Sequence, residues 1–155
     1  MNEKRKQAAE LLSQYKIIIE KKRIIEEQMY DMSSMLREAT RTRVSDDKVT
    51  ESKNNGYLDL LENNFVSLNA SRGALKIRQK MIEGILDSLP PIERQIIRRY
   101  YIDGDYRRAN DDLIEITGFE KSHIYRLRDR ALDRIASLID DFEQSYLPGK
   151  SWQNT

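Results

Sequence analysis

Leu89-Pro90-Pro91-Ile92-Glu93-Arg94-Gln95-Ile96-Ile97-Arg98-Arg99-Tyr100-Tyr101-Ile102-Asp103-Gly104 is the stretch on which the fold turns. The residue before a proline is pushed out of the α region, so Pro90-Pro91 ends any helix arriving from the N-terminal side. Pro91 in turn suits the first position of a new helix, where no backbone N–H is needed. The new segment carries Ile92, Ile96, Ile97, Tyr100, Tyr101 and Ile102, then stops at Asp103-Gly104-Asp105. The two tyrosines lie in an apolar helix and are expected in a core. The diproline therefore divides an arm, 1–88, from a head, 89–140, followed by a tail, 141–155, that lacks periodicity and is expected to be flexible.

Upstream, apolar residues recur at alternating spacings of three and four. The first series is Ala8, Leu11, Tyr15, Ile18, Lys22, Ile25, Met29, Met32 and Leu36, broken only by Lys22. A second runs Leu58, Leu61, Phe65, Leu68, Arg72, Leu75, Gln79, Ile82 and Leu86. Such a repeat keeps one stripe on one side of a helix, as in a coiled-coil seam. Between them, 40–56 is polar, with only Val44 and Val49 apolar, and reads as a loop. Two amphipathic helices joined by a loop bury their stripes against each other in an antiparallel hairpin, or against a second copy as a homodimer. The stripe alone leaves both open, with Lys22 and Arg72 as register-setting positions.

Downstream, a short helix ends at Leu113-Ile114-Glu115-Ile116-Thr117. Gly118 follows, and another helical pattern runs from Glu120 to Ile139 with apolar positions Ile124, Leu127, Ala131, Leu132 and Ile135. Helix, glycine-centred turn, helix is the helix-turn-helix pattern. The fold class expected is all-α: a long coiled-coil-like hairpin followed by a helix-turn-helix head.

Composition narrows the function classes. The chain has 155 residues, with 27 Lys plus Arg against 26 Asp plus Glu, a net charge of +1 that names no partner. Charged residues make up 34%, with six Gly and three Pro, a mixture suited to long helices. There is no Cys, which removes disulfides, thiolate zinc sites and Cys nucleophiles, and fits a reducing compartment. The single His, His123, cannot build a His-based metal site or triad alone. No apolar run approaches the roughly 20 residues of a membrane span, and the basic start, Met1 to Lys6, leads into no signal-peptide core. There is no Gly-rich phosphate loop and no nucleophile–base pair in view, and Asp111-Asp112 reads as a charged helix face. The expectation is an intracellular, non-enzymatic protein without metal or cofactor.

The head carries a resemblance. Leu89-Pro90-Pro91-x-Glu93-Arg94-x-Ile96-Ile97, followed by Tyr101 and Gly104, resembles the opening of region 4 of bacterial sigma factors. Gly118-Phe119-x-x-Ser122-x-Ile124-Tyr125-Arg126, followed by Arg130-Ala131-Leu132, resembles its second half. Joined to a helical N-terminal half, this is similar to phage and prophage late-gene transcriptional regulators of the ArpU/RinA type. The resemblance covers about 50 residues of head, and the arm is similar in layout only. It departs from the family between Gly104 and Gly118, which is a few residues longer, and at Glu120, where the family has a Ser or Thr cap. It implies a cytoplasmic protein of a bacterial host that binds double-stranded promoter DNA. RNA polymerase is a further implied partner.

A recognition helix inserts its N-terminal half into the major groove while its opposite stripe packs on the domain. With Ile124, Leu127, Ala131 and Ile135 inward, 3.6 residues per turn puts Ser122, Arg126, Asp129 and Asp133 outward. Ser122 and Arg126 become the base-edge candidates, because Arg offers guanine two donors. Lys121, His123 and Tyr125 flank the same end. Arg107, Arg108 and Arg130 are the phosphate candidates, while Arg98, Arg99 and Arg134 can instead pair with Glu93, Asp103 and Asp133. Arg128 falls near the packing stripe and is not a candidate. Asp129 and Asp133 face phosphates unfavourably. Two other readings stay open: a module that binds RNA polymerase or another phage protein, and a small-terminase-like packaging component.

Overall fold

The computed structural model describes the backbone of residues 2–45 and 51–146 and the side chains of 2–41 and 56–141. Among them all regular structure is helical, with no strand. The elements are α1 (Glu3–Ser45), α2 (Glu51–Ser88), α3 (Pro91–Ile97), a π-helical turn (Arg98–Ile102) that continues α3, α4 (Ala109–Thr117) and α5 (Lys121–Tyr146). No helix among the described residues is long and apolar enough to cross a membrane.

Two compact units are present, and they do not divide at the diproline. The arm unit is 17–79, while 1–16 belongs with 80–155 in the head unit. Within the arm unit, Lys22 Nζ donates to Gln79 Oε1 at 3.1 Å. A groove of about 390 Å³ is lined by Gln28, Asp31, Met32 and Met35 of α1 and by Asn64, Ser67 and Leu68 of α2. Numbers climb on one helix as they fall on the other, so these stretches run antiparallel. Every stripe position of the unit is buried or half-buried, including Lys22 and Arg72. The segment 40–56, expected as a loop, is helical over 40–45 and 51–56, since α1 continues to Ser45 and α2 begins at Glu51. Arg, Glu and Lys are good helix formers even without an apolar stripe to bury. The remainder, 46–50, lies outside the described residues.

The head unit takes in both ends of the expected arm. Ala8 and Leu12 of α1 are fully buried, as are Ile82, Ile85, Leu86 and Leu89. Leu12, one position past the Leu11 of the regular stripe, makes the deeper contact; Leu11 is half-buried. Tyr15 Oη donates to Glu83 at 2.7 Å, joining α1 to α2 on this side as well.

The diproline motif closes one helix and opens the next. Pro90 is extended (φ −53°, ψ 147°) ahead of Pro91 in the first turn of α3. The Arg94 guanidinium donates to the carbonyls of Leu86 (3.1 Å), Asp87 (3.0 Å) and Leu89 (3.1 Å). A cation thus sits at the negative end of the α2 dipole and binds its last carbonyls, of which Leu86 O also accepts from the Leu89 N–H at 3.2 Å. Glu93 is 2% exposed, and its carboxylate lies 3.1 Å from Arg134 Nε on α5.

In the π-helical turn the Asp103 N–H reaches back five residues to Arg98 O at 2.7 Å. Tyr100, Tyr101 and Ile102 are all buried there. Gly104 follows it at a position with no room for a side chain, since a Cβ there would lie 2.5 Å from the Arg99 carbonyl oxygen. α3 packs chiefly on α5, and α4 on α5 and the π-helical turn. α5 runs to Tyr146, past residue 140, where the tail was expected to begin. Residues 147–155, with Trp152, lie outside the described residues.

Candidate nucleic-acid interface

The turn between α4 and α5 is built by three residues. Gly118 adopts φ 71°, a left-handed conformation that costs a residue with a Cβ, and its N–H bonds Ile114 O at 2.9 Å. Thr117 Oγ1 donates to Leu113 O at 2.6 Å and accepts from the Phe119 N–H at 3.1 Å. α5 then presents Ile124, Leu127, Ala131 and Ile135 to the core, all buried as expected, together with Leu132 and Ala136.

On the opposite side Ser122 and Arg126 are exposed, and Lys121 and Arg130 are exposed on its flanks. The Arg126 and Arg130 side chains have no hydrogen-bond or ion-pair partner among the described residues. Lys121 Nζ stands 5.7 Å from the centre of the Tyr125 ring. His123 is half-buried with its ring edge-on to Phe119, centroids 4.7 Å apart. Among the described residues no three His, Cys, Asp or Glu side chains converge to hold a metal ion.

Tyr125 is occupied within the fold. Its hydroxyl accepts from Asn110 Nδ2 at 2.8 Å, and the Arg128 guanidinium lies 4.8 Å from its ring centre and 5.2 Å from that of Tyr100. Arg128 is thus a stacked structural cation, which fits its place near the packing stripe. The Asn110–Tyr125 bond pins the start of α4 to the second turn of α5. Arg107 and Arg108, immediately before α4 and both exposed, are thereby held at the same end of α5 as Lys121 and Arg126. Asp105 organises that approach: its carboxylate accepts from the Arg107 N–H at 3.0 Å and its carbonyl from the Arg108 N–H at 3.0 Å.

Other cations are committed elsewhere. Arg98 pairs with Asp103 at 2.8 Å and Arg134 with Glu93. Behind the surface, Tyr100 and Tyr101 form an aromatic cluster with Tyr106, centroids 5.5 to 6.0 Å apart. Burial pushes both hydroxyls up to about 12.

One contributor was not legible beforehand. Arg5, in the first turn of α1, donates from Nε to Asp133 Oδ1 at 2.7 Å and from Nη2 to Asp133 Oδ2 at 2.9 Å. Its Nη1 lies 3.7 Å from Asp129 Oδ2. This forked hydrogen bond holds the Asp133 carboxyl below its ordinary value and raises the guanidinium of Arg5. The contact spans 128 positions of sequence, so no local pattern announces it. The only sign is the basic start of the chain.

No family model, curated protein or solved structure matches the chain, so none of these comparisons identifies it with sigma region 4 or the ArpU/RinA type.

Proposed function

We propose that the chain binds double-stranded DNA through α5 and acts as a sequence-specific transcriptional regulator of phage or prophage genes. The observation that carries this reading is the cluster of uncommitted cations at one end of the helix-turn-helix. Arg126 stands exposed and unpaired on the outward face of α5, with Lys121 and Ser122 before it and Arg107 and Arg108 fixed alongside through Asn110 and Tyr125. An unpaired guanidinium keeps its two-pronged donor set available for a guanine edge. The exposed Arg and Lys side chains around it supply phosphate contacts, which give affinity without sequence information. His123 and Tyr125 support the surface more than they read it, because both rings are engaged within the fold.

The test is a salt-titrated binding assay of the full chain against host or prophage promoter DNA and a scrambled duplex. Preference for the promoter, with a log–log salt slope of a few units, is expected. Arg126→Ala should weaken the specific complex by about 1–3 kcal/mol, roughly 5- to 150-fold, and leave the scrambled duplex far less affected. Equal loss on both duplexes would remove Arg126 as a base reader. Absence of binding at about 50 mM salt would remove the DNA reading itself.

A second reading, an interaction role, is favoured by the arm unit. Ile17, Ile24 and Met35 are 53%, 42% and 49% exposed and, at spacings of seven and eleven, share one face of α1. Clustered exposed apolar side chains mark contact surfaces, so this face is a candidate for pairing with a second copy or for reaching RNA polymerase. Sedimentation separates the outcomes: a dimer fits pairing through the arm, a ring-like oligomer fits a small-terminase-like component, and a monomer leaves only a foreign partner.

A further inference from the structure

The outward stripe of α5 carries Ser122 and Arg126 and then, at the same helical spacing, Asp129 and Asp133. Along the axis, at 1.5 Å per residue, those carboxylates stand about 5 Å and about 10 Å beyond Arg126. Both distances are comparable with the Debye length of roughly 8 Å at physiological salt. Left bare, two carboxylates so close to the reading end would repel a docked phosphate backbone. They also remain open to solvent, their side chains being 34% and 51% exposed.

They are not left bare. Arg5 forks onto Asp133 through both of its carboxylate oxygens and reaches Asp129 at 3.7 Å. Asp129 also receives Arg128 Nη2 at 3.4 Å. In the same turn, Lys4 Nζ lies 4.0 Å from Asp140, further along α5. The first turn of α1 therefore lays positive charge along the acidic stretch of α5, and the burial of Ala8 and Leu12 just beyond anchors it there.

We propose that Arg5 is a positioning residue for nucleic-acid binding by α5, neutralising Asp129 and Asp133 so that a phosphate backbone can run along the outward face past Arg126. The inference rests on the DNA-binding reading above and gives that surface a contribution from the opposite end of the chain. Arg5 need not touch the nucleic acid. Its effect is to cancel repulsion.

The experiment measures binding of the full chain to a short random-sequence duplex across a salt series, with folding followed by thermal melting. Arg5→Ala leaves the two carboxylates bare, so affinity should fall by about 5- to 10-fold near 0.1 M salt, and the loss should shrink as added salt screens the repulsion. Adding Asp129→Asn and Asp133→Asn to Arg5→Ala should restore wild-type affinity, because the repulsion disappears with the carboxylates. Arg5→Lys keeps the charge without the fork and should stay within about threefold of wild type, which preserves the test if Arg5→Ala folds poorly. Loss without rescue would overturn the proposal in favour of a purely structural or directly contacting Arg5. Undiminished binding by folded Arg5→Ala, with Arg126→Ala still weakening the promoter complex, would overturn it while leaving the DNA-binding reading intact. No binding by wild type would overturn both.

Discussion

The head unit and the arm unit are made of the same kind of helix and hold together in different ways. In the arm unit only Ile18, Met29, Leu58 and Leu61 are buried among the described residues. Nine large apolar side chains there stay exposed, from Ile17 and Ile24 to Val66 and Ile77. In the head unit the ends of α1 and α2 join four further helical segments around Leu12, Ile82, Ile96, Leu113, Ile124 and Leu132. A pair of helices buries one stripe of each, whereas a helix in a cluster is enclosed on several sides, so similar sequence acquires different stability. Helical stability in proteins comes chiefly from such packing. α1 contributes to both kinds of structure, and its first 16 residues count as part of the head.

The largest expected effect separates the two units directly. Leu12→Ala, in the head core, should lower unfolding free energy by about 2–5 kcal/mol. Ile77→Ala, 72% exposed in the arm, should stay within about 0.5 kcal/mol. Equal effects in denaturant titrations would show that the first turns of α1 do not belong to the head core.

Glycine substitutions should differ in sign. Gly73, within α2 in the arm, has room for a methyl group, since nothing beyond its own helix lies within 4 Å of where a Cβ would stand. Gly73→Ala should stabilise by up to about 1 kcal/mol through helix propensity. Gly104→Ala meets the Arg99 carbonyl oxygen at 2.5 Å and should destabilise by about 1–3 kcal/mol. Gly118→Ala, at φ 71°, should cost about 1–2 kcal/mol. Thermal melts of the three variants check the order.

The smallest effect concerns the clasp of α1 on α5. The Asp133 carboxyl is held below its usual value of 3.8 by the hydrogen bond from Arg5. A depressed carboxylate contributes stability above its unfolded value, and that contribution is lost as pH falls through the folded one. Asp133→Asn should therefore be slightly less stable than wild type at pH 6, with the difference closing as pH falls below the ordinary carboxylate range. A difference that persists unchanged into acid would show that the pair is not what the substitution removed.

Much of this was legible beforehand, for physical reasons that differ by region. The stripes of α1 and α2 were readable because a helix repeats every 3.6 residues and burial follows that period. The start of α3 followed from backbone sterics at Pro90-Pro91, and the turn into α5 from Gly118. The inward stripe of α5 was readable for the same reason as the arm. The polar segment 40–56 misled because polar composition is common to loops and to solvated helix, and nothing between Thr40 and Ser45 breaks a helix. Glu93 was legible as a possible partner for a nearby arginine, yet not as a buried one, and Arg94 was legible as part of a motif, yet not as the cap of α2.

By itself, then, the sequence determined what depends on neighbours in the chain: the helical class, the stripes, the diproline break, the Gly118 turn and the set of outward cations on α5. Tertiary structure alone decided which of those cations are spent on partners, that Tyr125 serves the fold, and that Arg5 answers Asp133. Those outcomes depend on which surfaces meet across many intervening residues. Periodicity says which face of a helix is buried, but it does not say against what.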